Sequence, residues 1–168
     1  MALELNGTTG VSLVQDGVVT AADLASGAIT SAALPTGSVL QVVSATGSDG
    51  YTSSSSFVTT GHSVTITPKS TSSKILLLAT STSYKETTSH GRVTIYRGGT
   101  NLGDTADGLG GSDVEAGAIM SSISYLDTPA TTSATTYTIY YRSISDNFYW
   151  IHPWAGGTAR FTALEIAG

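Results

Sequence analysis

The chain has 168 residues, of which only 11% are charged, and its formal net charge of −5 comes from 7 basic and 12 acidic residues. This acidic balance argues against nucleic acid and anionic membranes as partners, because both bind clustered lysine and arginine. The absence of cysteine excludes disulfides and cysteine metal sites. The longest apolar run, residues 75–79, is far shorter than the roughly 20 residues of a membrane-spanning helix, so no membrane insertion is expected.

Near the N-terminus, residues 17–40 repeat a ten-residue phrase, GVVTAADLAS GAITSAALPT GSVL. Thr20 and Thr30 are predicted to begin two short helical turns, which end at Gly27 and Pro35. One copy of this segment buries too little surface to offset an ordering entropy of about 1–2 kcal/mol per residue. The segment is therefore either a disordered linker or an oligomeric arm in which several chains lie side by side. In the second case, the side chains pointing to a shared axis are Val19, Leu24, Ile29 and Leu34.

From Ser38 onward, short runs alternate apolar and polar residues between turn-forming glycine, asparagine, aspartate and proline. This pattern predicts an all-β head over residues 37–168, an antiparallel β-sandwich or jelly roll. Residues 1–36 form a separate arm of extended segments and helical turns. The predicted strands are residues 39–45, 57–60, 63–67, 74–85, 92–97, 118–126, 136–145, 148–153 and 160–166.

The predicted strand that begins KILLLAT is apolar on both faces, with Ile75 and Leu77 on one side. If that side belongs to the core, the opposite side needs a cover, either a loop or another subunit. The segment YTIYY, residues 137–141, also carries aromatic rings on both faces, which fits either a thick single core or a subunit interface. The residues on the second face of the first strand, predicted to lie in an oligomer interface, are Leu76 and Leu78.

The stretch NLGDTADGLGGSDVEAG, residues 101–117, is rich in glycine and acidic residues. Carboxylate oxygens on a flexible loop suit calcium, although the spacing is not that of an EF-hand. The alternative is a surface loop kept soluble by its charges. The carboxylates concerned are Asp104, Asp107, Asp113 and Glu115.

Motifs of catalysis and cofactor binding are missing from the sequence. The chain has no Gly-x-Ser-x-Gly, Walker loop or His-Glu-x-x-His, and its three histidines are widely spaced. GGTNLG, residues 98–103, is predicted to be a hairpin turn rather than a nucleotide loop, because no helix follows it. We therefore expect no enzymatic activity, no cofactor and no metal.

Both tryptophans lie in DNFYWIHPW, residues 146–154, and strand alternation puts both on one face. These rings either fill the core or a trimer axis, or stack on a receptor glycan. Tyr149 is the first candidate for a glycan platform because its face is not needed for the core. The predicted receptor-binding residues are Tyr149, Trp150, His152 and Trp154, with Asp104, Asp107 and Asp113 of the acidic stretch.

Several of these phrases resemble bacteriophage proteins. LNGTTGVS and DGVVTAADLASGAITSAAL resemble the shafts and attachment arms of tail fibres. TGSVLQVV, VTITPKSTSSKILLLAT, VTIYRGGTNLG, SISYLDTPATTSATTYTIYYRS and ARFTALEIAG resemble a module of virion structural proteins from cyanophages and related environmental phages. The resemblance implies a protein on the tail or capsid surface of the virion, most often a homotrimer, whose arm binds other virion proteins.

The resemblance implies a short tail fibre or fibre head that serves host attachment, with a cell-surface glycan as a possible receptor. A capsid decoration or head-fibre protein fits the same features, since it also needs an anchor and an exposed head. A free carbohydrate-binding module is a third interpretation, but such a module has no use for a repeated, oligomer-dependent arm.

Overall fold

The computed structural model describes residues 5–6, 10–11, 29–30, 33–47, 50–86, 90–112, 116–151 and 158–168. Strands contain 59% of these residues, and no helix is found among them. Contacts between Cα atoms divide the chain into two compact units, Met1–Leu34 and Pro35–Gly168. The division falls close to the predicted boundary between arm and head.

The first unit contains a short antiparallel ladder, in which β1 (Leu5–Asn6) pairs with β2 (Gly10–Val11). Two of the predicted axis residues, Ile29 and Leu34, are exposed in the single chain. The first predicted helical turn lies outside the described residues. So do the other two predicted axis residues, Val19 and Leu24.

The second unit, which we call the head, is built from eleven antiparallel strands within the described residues. They are β3 (Val39–Thr46), β4 (Tyr51–Thr52), β5 (Val58–Ile66), β6 (Lys74–Lys85), β7 (Gly91–Arg97), β8 (Thr100–Asn101), β9 (Gly110–Ser112), β10 (Gly117–Asp127), β11 (Thr135–Ser143), β12 (Phe148–Tyr149) and β13 (Arg160–Ile166).

These strands form two sheets. In the first sheet the long strands lie in the order β3-β13-β6-β10, and the short strands β12 and β4 continue the sheet beside one end of β6. In the second sheet the order is β5-β11-β7, with β8 and β9 both paired to the remaining edge of β7. Successive long strands alternate between the sheets, which is the connectivity of a jelly roll. The predicted fold class, an all-β sandwich, is confirmed.

Strand β6 is the centre of the first sheet because both of its edges are paired. On one edge, β10 pairs with residues 75–85 without a register shift. On the other edge, β13 pairs with residues 74–80 and β12 pairs with residues 84–85. We call its two ends the Lys74 end and the Lys85 end.

The core lies between the two sheets and follows from the alternation of side chains along each strand. Odd-numbered residues of β6 point into it and meet inward side chains of β7, β11 and β13. Full burial of one such aliphatic or aromatic side chain contributes about 1.5–3 kcal/mol. Members of this core are Ile75, Leu77, Ala79, Val93, Ile95, Tyr137, Ile139 and Phe161.

In two regions the predicted strands differ from the structure by more than two residues. The sequence predicted separate strands at residues 57–60 and 63–67, but β5 runs through both, and a register shift against β11 accommodates the interruption. Gly61 has a φ of +76° at this irregularity, a conformation that glycine adopts readily. The predicted strand 148–153 is much shorter, because β12 ends at Tyr149. Ile151, two residues beyond the end of β12, is fully buried.

Glu165 on β13 is a fully buried carboxylate. Its Oε1 accepts hydrogen bonds from the Lys69 backbone N–H and the Ser73 hydroxyl, both at 2.6 Å, and its Oε2 accepts one from the Gln41 amide at 2.6 Å. Burial raises the pKa of Glu165, but these bonds and one from the Ser70 backbone outweigh it and hold the pKa below its usual value. The buried charge thus fixes the loop between β5 and β6 against β3 and β13.

Replacing Glu165 with alanine should lower the free energy of unfolding by about 3 kcal/mol, because several buried donors lose their acceptor. Asp107→Asn is the control, since the exposed ion pair of Asp107 with Arg92 is worth less than about 1 kcal/mol. Urea denaturation at neutral pH measures both variants. Equally small losses would contradict the anchoring role of Glu165.

Candidate ligand-binding site

The outer face of the first sheet, which points away from the core, carries two groups of large side chains. Even-numbered residues of β6 point to this face because side chains alternate along a strand. Residues opposite them on the neighbouring strands share the face. The two groups lie at opposite ends of β6.

An apolar row crosses the outer face near the Lys74 end. Leu76 is opposite Leu164 on β13 and Leu126 on β10, and Leu164 is in turn opposite Val42 on β3. Val42 and Leu126, at the ends of the row, are 57% and 51% exposed, and Leu78 lies beside it, partly exposed. The two residues predicted for an oligomer interface, Leu76 and Leu78, therefore belong to a larger apolar surface that the chain itself leaves uncovered at both ends.

A ladder of three tyrosines crosses the outer face at the Lys85 end. Tyr51 on β4, Tyr149 on β12 and Tyr84 on β6 are register partners on adjacent strands. The ring centroids of Tyr51 and Tyr149 are 5.2 Å apart, and those of Tyr149 and Tyr84 are 5.8 Å apart in an edge-on arrangement. Such aromatic pairs contribute about 0.5–1.5 kcal/mol beyond their buried area, so the ladder holds its rings in place.

A carboxylate and an amide border the tyrosine ladder. Glu86 Oε1 accepts a 2.7 Å hydrogen bond from the Tyr149 hydroxyl, and Glu86 Oε2 accepts a 2.9 Å bond from the Asn147 amide. The hydrogen bond to Glu86, aided by burial, raises the pKa of Tyr149 to about 12. At neutral pH, Tyr149 is therefore a neutral donor that orients the Glu86 carboxylate.

Tyr149 lies on the outer face, as the sequence predicted, but it is not the exposed platform. It is only 8% exposed because Tyr51 and Tyr84 pack on either side of it. The exposed ring of the ladder is Tyr51, at 59%. Sequence reasoning missed Tyr51, Glu86 and Asn147. Of these three residues, only Tyr51 had a signal in the sequence, because it is an aromatic residue among the turn-forming residues of GYTS.

Trp150 belongs to the core and not to a surface platform, which corrects its prediction as a receptor-binding residue. It is 1% exposed, and its indole N–H points to His62 Nδ1 at 3.4 Å. The Nε2 of His62 lies 3.2 Å from the carbonyl oxygen of Ala45, and the hydroxyl of Ser81 donates to the carbonyl of Trp150. The other predicted receptor-binding residues of this segment, His152 and Trp154, lie outside the described residues.

The structure describes most of the acidic stretch, and the carboxylates described there have protein partners. Asp104 Oδ1 accepts from the backbone N–H groups of Ala106 and Asp107 at 2.6 and 2.8 Å, which lowers the pKa of Asp104. Asp107 pairs with Arg92 at 2.9 Å. Asp113 lies outside the described residues, and the part of the chain that the structure describes contains no group of three potential metal ligands.

Comparison of the chain with protein-family models and with curated proteins finds no match. Within the described ranges, no helix has the length and apolar character needed to cross a membrane.

The free energy of unfolding should decrease as the pH is lowered below 6.5, because His62 titrates. Burial lowers the pKa of His62 below 6.5, and the bond to Ala45 offsets this only in part. Below pH 6.5 the unfolded chain takes up a proton that the folded chain does not, so the free energy of unfolding falls by at most about 1.4 kcal/mol per pH unit. Above that pH both states are neutral and this contribution is constant.

Urea denaturation from neutral pH down to about pH 5, where most carboxylates remain ionised, measures this dependence. His62→Gln should flatten the slope, because the group that titrates is removed. An unchanged slope in His62→Gln would show that another group is responsible.

Proposed function

We propose that this protein is a bacteriophage virion surface protein, a short tail fibre or fibre head that serves in host attachment. The resemblance of its arm phrases to phage tail fibres, and of its head phrases to a module of phage virion structural proteins, supports this function. The jelly-roll fold is compatible with it, because viral capsid proteins and lectins use that architecture. The likeness to those proteins is one of fold alone, since one fold hosts many functions.

The observation that carries the proposal is that the two ends of the head differ. The chain joins the head at the Lys74 end, where the Gly37 N–H donates to the Ala167 carbonyl over 2.8 Å. The tyrosine ladder lies at the other end of β6, roughly 33 Å away at about 3.3 Å per residue. A head connected at one end and carrying exposed aromatic chemistry at the other suits a protein that is anchored to a particle and binds outward.

We further propose that the protein is a homotrimer in which the apolar row is an interface. The row crosses four strands and thus about 14 Å of sheet at about 4.8 Å per strand spacing. Contiguous exposed apolar surface of this kind is typical of protein interfaces. A repeated arm that gains from side-by-side packing supports the same assembly. The arm would then bind other virion proteins.

Substitutions in the apolar row should dissociate the trimer. Val42→Lys and Leu126→Lys should each yield a monomer with little change in melting temperature, because both side chains are largely exposed within one chain. Ser122→Lys is the matched control, since Ser122 is exposed on the same face of β10. Multi-angle light scattering measures the mass. A wild-type mass near 17.1 kDa at micromolar concentration would overturn the homotrimer.

Antibodies against the full chain should label purified virions of the encoding phage, which electron microscopy of gold conjugates would locate. Label at the tail is the expected result. Label on the capsid would replace the tail-fibre assignment with a decoration or head-fibre protein. Absence of label on intact and gently disrupted particles would contradict a virion protein and favour a free carbohydrate-binding module.

A further inference from the structure

The geometry points to a saccharide site at the tyrosine ladder, in which Tyr51 stacks on the apolar face of a neutral pyranose and Glu86 accepts hydrogen bonds from its hydroxyl groups. This inference rests on the proposed attachment function and names the ligand class of its receptor. It assigns the stacking role to Tyr51 in place of Tyr149, and it identifies the polar groups beside the ring.

The stacking ring is both exposed and supported. Tyr51 is 59% exposed, yet its ring packs at 5.2 Å on Tyr149, which is itself packed on Tyr84. A ring held in this way loses little conformational freedom when a ligand binds, which favours affinity. Aromatic faces offer an apolar surface to the C–H groups on one face of a sugar ring.

The hydrogen-bonding groups beside the ring are also fixed in place. Each oxygen of Glu86 already accepts one hydrogen bond, from Tyr149 at 2.7 Å and from Asn147 at 2.9 Å. A carboxylate has about four acceptor positions, so each oxygen can accept a further hydrogen bond from a ligand hydroxyl. Tyr149 contacts both Tyr51 and Glu86, which keeps the apolar surface and the acceptors next to each other.

The charge of the site decides the kind of sugar. The carboxylate of Glu86 borders the ladder, and the whole chain has a net charge of −5. Both disfavour anionic sugars such as sialic and uronic acids, because like charges repel across an interface. A neutral pyranose with several hydroxyl groups matches the aromatic face and the acceptor-rich border.

The test is binding of the full-length protein to an array of neutral oligosaccharides printed beside their sialylated counterparts. The expected result is retention on at least one neutral galactose- or glucose-terminated oligosaccharide, with weaker retention on its sialylated form. Titration calorimetry with the best soluble neutral oligosaccharide then gives the dissociation constant. No retention on any neutral oligosaccharide overturns the inference, and so does preferential retention on the sialylated forms.

Variants separate stacking from folding. Tyr51→Ala should weaken binding at least tenfold, which is about 1.4 kcal/mol, whereas Tyr51→Phe should keep most of it because the ring remains. Glu86→Gln should weaken binding of the same oligosaccharide, since a carboxylate accepts hydrogen bonds more strongly than an amide. Met120→Ala, at a highly exposed residue on the same face, is the control and should bind as the wild type does.

The melting temperature of each variant shows whether a loss of sugar binding comes from unfolding. Full binding by a folded Tyr51→Ala protein would overturn the site. The inference and the proposed function fail separately. Virion labelling without sugar binding would support the attachment protein and contradict the saccharide site. Sugar binding without virion labelling would support the saccharide site and contradict the virion protein.

Discussion

The pairing of β6 along both edges is the constraint on which the rest of the head depends. Eleven of its twelve residues pair with β10 without a bulge, so every second side chain is committed to one face along the whole strand. Ile75, Leu77 and Ala79 supply the core, while Leu76 and Tyr84 supply opposite ends of the outer face. A slip of one residue would exchange the two sets and expose the core side chains.

The same strand also separates the two kinds of surface chemistry. Near the Lys74 end, aliphatic residues meet across four strands, and the buried charge of Glu165 ties the loop between β5 and β6 to the sheet. At the Lys85 end, three tyrosines meet a carboxylate and an amide. The first surface suits association with apolar protein surface, and the second suits a ligand with both C–H and hydroxyl groups.

Sequence alone predicted the parts of this arrangement that depend on local pattern. The bounds of β6 and β13 were predicted correctly because each is a run of seven residues or more that lies between turn-forming residues. The hairpin turn between β7 and β8 lies where GGTNLG was predicted to turn. The short strands β4, β8 and β9 were missed, because two or three residues show no period and form strands only beside a partner.

The candidate site was only half predictable for the same reason. Alternation placed Tyr149 on the outer face, but its cover, Tyr51, comes from a strand that lies far away in the sequence. Glu86 and Asn147 likewise meet through the pairing of β6 with β12. Trp150 carried no local sign of its bond to His62 on β5. Contacts between distant strands therefore decide which aromatic residue is exposed.

The points where the chain enters and leaves the jelly roll lie side by side. Gly37 donates to the carbonyl of Ala167, and the Ala167 N–H donates to Ser38, both over 2.8 Å. A domain with adjacent ends can be inserted into a loop of another protein without stretching either chain. The head is thus suited to transfer as a whole unit, by recombination, from one protein that carries it to another. In every such protein, the tyrosine ladder would keep its distance and direction from the point where the head is joined.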